Sequence, residues 1–341
     1  MNEKTQAALV SIILPLYKSK KYVRQTLESV QDQTHSNFEV VVVDDGSPDD
    51  SADLVESMQD RRFRIFRRPN TGSCRARNFG IEQARGDFIA FIDHDDLWLP
   101  EKLEKHLEHL ERSPEVGLSY GPSKLIDENG DSIGFYQTGQ LTDVTPRLVL
   151  CRNPIGNGST PLIRRQMMNE VRYEAERGGK VEAFYFNDEC VNWEDIELWI
   201  RMLVLTNWGM EGIPDCLTLY RITPGGITDK PEQKQEAFEN GMTIVSRYAP
   251  DLIKEHGPAG RAYHLRYLAR RMILSRESRK SIAYAHRALG AWPKILVEDP
   301  SRTVVTLLVA YLQLVLPGSI YQALETFAFK RKAKRQMALV G

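Results

Sequence analysis

A chain of 341 residues has enough sequence to bury a full hydrophobic core, and its size suits one large domain with an appendage. Charged residues make up 27% but almost cancel, to a formal net charge of −1, so bulk charge gives no reason to bind polyanions and excludes nucleic acid as a default partner. The four cysteines, Cys74, Cys151, Cys190 and Cys216, are far apart, form no CxxC pair and read as reduced thiols of a cytosolic protein. Met1 to Ala8 is polar, carries both Glu3 and Lys4, and reads as no secretion signal.

Leu9 to Leu14 is an apolar run stopped by Pro15, and Phe38 to Val43 is a β-branched run stopped by Asp44-Asp45-Gly46-Ser47-Pro48. Val23, Leu27 and Val30 fall between them at helical spacing, so the order strand, helix, strand implies a parallel pair. The pattern repeats, with a strand over Arg62 to Phe66, a helix over Cys74 to Ala84, an apolar strand from Phe88 to Ile92 ending in Asp93-His94-Asp95-Asp96, and a helix over Leu97 to Glu111. An open α/β sheet is the economical fold, and ligands on such sheets bind beyond the carboxyl ends of the strands, where both acidic clusters lie. From Pro114 to about Thr228 the runs shorten and Gly, Asn and Pro multiply, as expected of long functional loops. The expected division is a catalytic domain over 1–230 and a helical C-terminal module over 231–341, in which Arg261, Arg266, Arg270 and Arg271 crowd one stretch.

Four segments carry residues suited to chemistry. Asp93 and Asp95 at a strand end could converge on a hard cation, Mg²⁺ or Mn²⁺, together with phosphate oxygens; equally, the motif could be a solvated turn capping the next helix. Asp44 and Asp45 are placed to accept hydrogen bonds from a base or ribose, or form an ordinary acidic turn. Asn70 to Asn78 leads a Gly-containing turn into a helix start bearing Arg75 and Arg77, groups that hold phosphate when they are not simply exposed. In Asn192 to Arg201, Ile196, Trp199 and Ile200 form an apolar helix face. Glu194 and Asp195 then fall in the first turn, with Asn192 as the expected N-cap, and Asp195 is either a capping acid or a general base.

In chain order, Val10 to Tyr17, Val43 to Ser47, Asn70 to Gly80, Asp93 to Asp96 and Trp193 to Asp195 resemble the motifs of glycosyltransferase family 2, inverting enzymes with the GT-A fold. The resemblance covers roughly Ala8 to Thr228 and implies an α/β, Rossmann-like open mixed sheet with a helical C-terminal module. It implies a nucleotide-sugar donor, in the first place a UDP-sugar, a saccharide or lipid-linked acceptor, and a divalent metal cofactor, Mn²⁺ or Mg²⁺. By the same resemblance Pro15, Leu16, Tyr17, Asp44, Asp45, Arg77, Asp93 and His94 contact the nucleotide, and Asp93 and Asp95 the metal. Asp195 is the catalytic base, and Glu194 and Trp193 lie near donor and acceptor. One departure stands out, for many relatives place a histidine where this chain has Thr223 in Leu219-Tyr220-Arg221-Ile222-Thr223, and threonine cannot replace an imidazole ligand.

Two other classes compete with this expectation. A phosphotransferase of the haloacid-dehalogenase type would start with a similar Asp-x-Asp strand, but such proteins place Thr or Val two residues after the second Asp, where this chain has Leu97, and put no Asp-Asp-Gly-Ser strand ahead of it. A non-catalytic sugar-nucleotide-binding scaffold is disfavoured by the joint presence of Asp93, Asp95 and Asp195, and a dinucleotide enzyme by the lack of G-x-G-x-x-G after the first strand. Near the C-terminus, Thr303 to Leu324 carries no formal charge and is broken at Pro317-Gly318. The apolar part before that break is shorter than the roughly 20 residues a spanning helix needs, and fits an interfacial or re-entrant segment whose neighbours Lys330, Arg331, Lys332, Lys334 and Arg335 could meet anionic head groups, or a helical hairpin packed on the catalytic domain or another subunit. The expected location is cytoplasmic, with the inner face of the plasma membrane as the peripheral alternative.

Overall fold

The computed structural model describes residues 8–223, 230–318 and 320–321. In chain order the elements are β1 (Val10–Leu16), α1 (Val23–Gln31), β2 (Phe38–Asp44), α2 (Ser51–Ser57), β3 (Phe63–Arg67), α3 (Ser73–Gln83), β4 (Phe88–Phe91) and β5 (Leu97–Trp98). Then come α4 (Lys102–Arg112), β6 (Val116–Tyr120), β7 (Ser123–Ile126), β8 (Ser132–Gln137), α5 (Pro146–Arg152), β9 (Leu162–Arg164), α6 (Arg165–Glu170), β10 (Tyr173–Arg177) and β11 (Lys180–Phe184). The chain continues through α7 (Glu194–Leu205), β12 (Gly209–Gly212), β13 (Thr218–Arg221), α8 (Pro231–Tyr248), α9 (Pro250–Leu274), α10 (Ser278–Ala291), α11 (Ile295–Glu298) and α12 (Pro300–Val315).

β1 and β2 are buried along their whole length, which is why they read as unbroken apolar runs rather than as alternating ones: a strand covered on both faces has no solvent side to make polar. They pair in parallel from Val10 opposite Phe38 to Leu16 opposite Asp44, and β4 joins the other side of β1 in parallel, with Ile13 opposite Phe91. The sheet has seven strands in the order β12-β6-β9-β4-β1-β2-β3, and β9 runs antiparallel to both neighbours, so the sheet is mixed. Ile12, Leu14, Val40, Val42, Leu27, Leu103 and Leu107 are among the buried residues of its core. The shared register sends the chain out of β1, β2 and β4 at one edge, so Tyr17, Asp45 and Asp93 emerge as neighbours.

The helix expected over Leu97 to Glu111 starts later. Leu97 and Trp98 pair as a strand with Leu219 and Thr218, in a four-stranded sheet ordered β5-β13-β7-β8, and the helix begins at Lys102 just beyond Pro100. Proline is accommodated most readily at a helix start, and the buried Trp98 side chain is drawn to the strand position. The other expected elements keep their type with ends shifted by a residue or two.

Two compact units divide the chain, and the division is not a single cut near 230. Among the described residues the first unit holds 8–145 and 154–223; the second holds Pro146–Asn153 together with the helices from Pro231 on. Within the second unit Ala262, Tyr263 and Ile295 form a buried cluster, and buried ions pair rather than stand alone: Arg266 Nη2 lies 2.8 Å from Asp299 Oδ2, which Arg152 Nη2 also meets at 3.0 Å. Arg266, one of the expected basic run, is thus an internal support. No helix among the described residues is long and apolar enough to cross a membrane, and Lys330 to Arg335 lie outside the described residues.

Candidate active site

The loop after β4 is the centre of the site, and three separate parts of the fold fix it. Ser159 Oγ donates to Asp96 Oδ2 at 2.6 Å and accepts from the Asp93 amide at 3.0 Å. Ser159 itself is held because Trp98 Nε1 donates to its carbonyl at 2.9 Å and its amide meets Asn157 Oδ1 at 3.1 Å. Lys102, fully buried, donates to the Thr160 carbonyl at 2.7 Å. The close passage of the chain upstream needs glycine, since a Cβ at Gly139 would stand 1.9 Å from the Pro154 carbonyl oxygen.

From the other side comes Arg221, at the end of β13. Its amide donates to Asp96 Oδ1 at 3.0 Å and its Nε to the Asp95 carbonyl at 2.7 Å, while Nη1 reaches the Asp127 and Glu128 carbonyls, each at 3.0 Å. Thr26 Oγ1 completes the hold by donating to the His94 carbonyl at 2.8 Å. Asp96 is therefore an internal anchor, fully buried, and burial followed by the charges of Asp93 and Asp95 pushes its carboxyl well above the ordinary range. Removing the hub has a direct expectation: Ser159→Ala leaves the buried Asp96 short of a donor and should lower unfolding free energy by about 1–3 kcal/mol in urea denaturation.

With the loop fixed, Asp93 and Asp95 are left at its surface, 34% and 24% exposed at their side chains. Burial, and beyond it the charge of Asp93, raises the Asp95 carboxyl above its usual value, with His94 pulling the other way. His94 Nδ1 is buried without a hydrogen-bond partner, 3.8 Å from Asp95 Oδ1. Tyr220 faces the same group, its hydroxyl pushed up first by burial and then by Asp96, Asp93, Asp95 and Asp195.

Arg77, on α3, joins this loop to the start of α7. Its Nη2 donates to Asp93 Oδ1 at 2.7 Å, its Nη1 lies 3.6 Å from Glu194 Oε1, and the side chain is only 14% exposed. Burial opposes its charge, yet Asp93, Glu194 and Asp195 hold the guanidinium above its ordinary value. Beside it, burial and then the Glu194 charge push Asp195 up to about 6, against the opposing pull of the Ile196 amide and Arg77. Asp195 Oδ1 accepts from that amide at 2.8 Å, so it satisfies one of the unpaired donors of the helix start. Asn192 is not the N-cap: it is exposed with φ 62°, and the helix begins at Glu194 behind a buried Trp193 whose side chain makes no cap bond. The hydrophobic face that docks α7 through Leu198, Trp199 and Ile200 sets this entry, leaving Asn192 in the preceding turn.

The remaining sequence candidates divide by exposure. Pro15 and Leu16 are buried, and the Leu16 carbonyl accepts from the Asp45 amide at 2.9 Å, whereas Tyr17 is 40% exposed. Asp45 accepts from the Thr71 amide at 2.8 Å and the Gly72 amide at 2.7 Å, so its carboxylate secures the Asn70 turn; Asp44 accepts from the Ser47 amide at 3.0 Å. Ser159, Asp96, Lys102, Arg221 and Tyr220 were not among those candidates. Asp96 had a signal as the last residue of the acidic motif, and Tyr220-Arg221 had one as neighbours of the missing histidine; Ser159 and Lys102 had none.

The donor set bears on the metal. Among the described residues no group of three or more His, Cys, Asp or Glu side chains is disposed to hold a metal. Two carboxylates on one fixed loop, one of them raised by burial and by the other's charge, are nevertheless the kind of donors a hard cation favours when phosphate and water complete its shell. The residues fit a cation shared with a diphosphate.

A mixed open sheet with an acidic loop beyond its central parallel strands, and a carboxylate pair on a facing helix start, makes this a GT-A-fold protein. S. aureus TarS 1–349, solved with UDP-GlcNAc, superposes with a TM-score of 0.55 at 18% identity, over 89% of this chain and 90% of that one. The mannosyltransferase PcManGT from Pyrobaculum calidifontis, solved with GDP-Man and Mn²⁺, gives 0.55 at 17% identity, over 90% and 87%. The profile of glycosyl transferase family 2 matches residues 11–172, and the putative teichuronic acid biosynthesis glycosyltransferase TuaG of Bacillus subtilis is 30% identical over 227 residues, 64% of this chain and 81% of that protein. The chain belongs to glycosyltransferase family 2. An uncharacterized glycosyltransferase of Rickettsia bellii is 38% identical over 144 residues, 42% of this chain; the chain spans only 21% of that relative's length and 36% of its counterpart in Rickettsia felis.

Proposed function

We propose that the protein is an inverting glycosyltransferase that moves a sugar from a nucleotide donor, a UDP-sugar, to a hydroxyl of a saccharide or lipid-linked acceptor in cell-surface polysaccharide or glycoconjugate synthesis. One observation carries the proposal: Arg77 ties Asp93 to Glu194, so a phosphate-compatible cation, an acidic loop and a carboxyl raised to about 6 stand in one cluster. The sheet-bearing unit is the catalytic domain, and the helices after 230 form the C-terminal module.

In this reading Asp195, ionised, takes the proton of the acceptor hydroxyl as that oxygen bonds to C1 of the sugar and the bond from C1 to the diphosphate breaks. A single displacement inverts the anomeric centre and needs no covalent glycosyl-enzyme. Arg77 balances charge on the departing diphosphate, while Tyr17 and Asp44 lie at the strand ends where the nucleoside would rest. Asp93 and Asp95 would hold the divalent cation, whose chemistry is to neutralise the leaving group. Ser159 and Arg221 keep that loop in place.

Calorimetry tests the donor and metal assignments together. UDP is expected to bind at least about tenfold more weakly in excess EDTA than with Mn²⁺, a difference of about 1.4 kcal/mol, because two carboxylates alone do not complete a shell. Equal affinity in both conditions would remove the metal from the proposal. A product of retained anomeric configuration would remove the single displacement.

A further inference from the structure

Helix α12 in the second unit is built inside out. Its inward side consists of Thr303, Thr306 and Ala310, all at most 3% exposed, whereas Val304, Val305, Leu308, Leu312 and Val315 are 43%, 55%, 57%, 43% and 75% exposed and Tyr311 is 44%. At 3.6 residues per turn these six side chains fall within an arc of about 120°, a continuous apolar stripe. A helix that only completes a soluble core turns its large apolar residues inward and its threonines out, so this face is shaped for a partner.

We infer that the outward face of α12 seats the C-terminal unit on an anionic lipid surface. Charge selects this occupant. From Pro300 to the end the sequence carries Arg302, Lys330, Arg331, Lys332, Lys334 and Arg335 against Glu325 alone, and no charge lies between Thr303 and Leu324. In the sequence, an uncharged apolar stretch flanked by basic residues and almost no acidic ones is the composition of segments that meet hydrocarbon and anionic head groups together. Sixteen residues span about 24 Å, short of the roughly 30 Å hydrocarbon core, so the helix lies along the interface instead of crossing it. Tyr311, whose hydroxyl is 2.7 Å from His286 Nε2, presents a ring with a polar tip, suited to the head-group level. The inference rests on this unit alone and not on the reading of the catalytic site.

Co-sedimentation of the full-length protein with vesicles tests it. At low salt the protein is expected to pellet with vesicles of phosphatidylglycerol and phosphatidylcholine in equal parts, and to stay in the supernatant with phosphatidylcholine alone. The double substitution Val305→Gln with Leu308→Gln, at exposed positions that leave the inward face untouched, should weaken binding roughly tenfold or more while circular dichroism stays unchanged. Failure to pellet with the anionic vesicles overturns the proposal, as does equal binding to neutral vesicles or undiminished binding by the double variant. A dimer in sedimentation velocity that the double variant abolishes would assign the face to a second copy.

Discussion

Replacing Asp195 with asparagine is expected to cut sugar transfer by at least about a hundredfold, since a positioned base commonly supplies about 10²–10⁴ in rate. Asparagine keeps the size of the side chain and an oxygen for the Ile196 amide, so the helix start survives. The pH dependence carries the distinction further. Only ionised Asp195 accepts a proton, so the native rate should rise as pH increases through about 6 and level off above it, and the variant should lack that limb. Stability runs the opposite way. The folded carboxyl binds its proton more tightly than the unfolded one at about 3.9, so the contribution is fully present below that value and is lost as pH rises through about 6. Asp195→Asn should therefore be more stable than the native protein near neutral pH, by about 3 kcal/mol, as urea denaturation at both ends of this window would reveal. Glu194→Gln is the milder control. Removing the charge that helps to raise Asp195 should move the rate profile toward acid without abolishing transfer. Were Asp195 only a support for the helix start, the asparagine variant would transfer at close to the native rate.

Arg77→Gln should injure fold and site together. It leaves Asp93 and Glu194 without the guanidinium that offsets them, and breaking a largely buried ion network of this kind costs about 2–4 kcal/mol. It also removes a charge that holds Asp195 down, so any remaining transfer should need a higher pH than the native enzyme, and UDP should bind more weakly. Arg77→Lys keeps the charge but not the two-armed geometry and should fall between. An arginine that merely decorated an exposed helix would, on substitution, change stability by no more than about 0.5 kcal/mol.

The part of the site that could be read from sequence is the part built at strand ends. β1 and β2 announce themselves because burial on both faces leaves no polar alternation, and their stops place Asp44 and Asp93 at one edge before any contact is known. What fixes those residues was not legible. Ser159 becomes a hub only because Trp98 and Lys102, some 60 residues earlier, bond the carbonyls of the Ser159-Thr160 turn, and no local pattern encodes such a meeting. Leu97-Trp98 was expected to be helical from its Leu, Glu and Lys neighbours, and the strand partner that overrules them sits at Thr218 and Leu219. Asp45, expected at the nucleotide, also holds two backbone amides of the Asn70 turn, a structural task that its place in an acidic strand end does not announce. Arg221 drew notice only for the histidine missing two residues on, although its own bonds to the backbone of Asp95 and Asp96 hold the acidic loop.

The excursion of the chain through α5 has a consequence in time. Val149 and Leu150 are buried at 1% and 4% exposure, and their helix belongs to the unit whose other members follow residue 225. A Cβ at Gly260 would lie 3.0 Å from Leu150 Cγ, which marks how closely α9 is packed there. On the ribosome α5 emerges first and must wait for that surface to be synthesised, about 110 residues later, or on the order of 5 to 20 s at ordinary elongation rates.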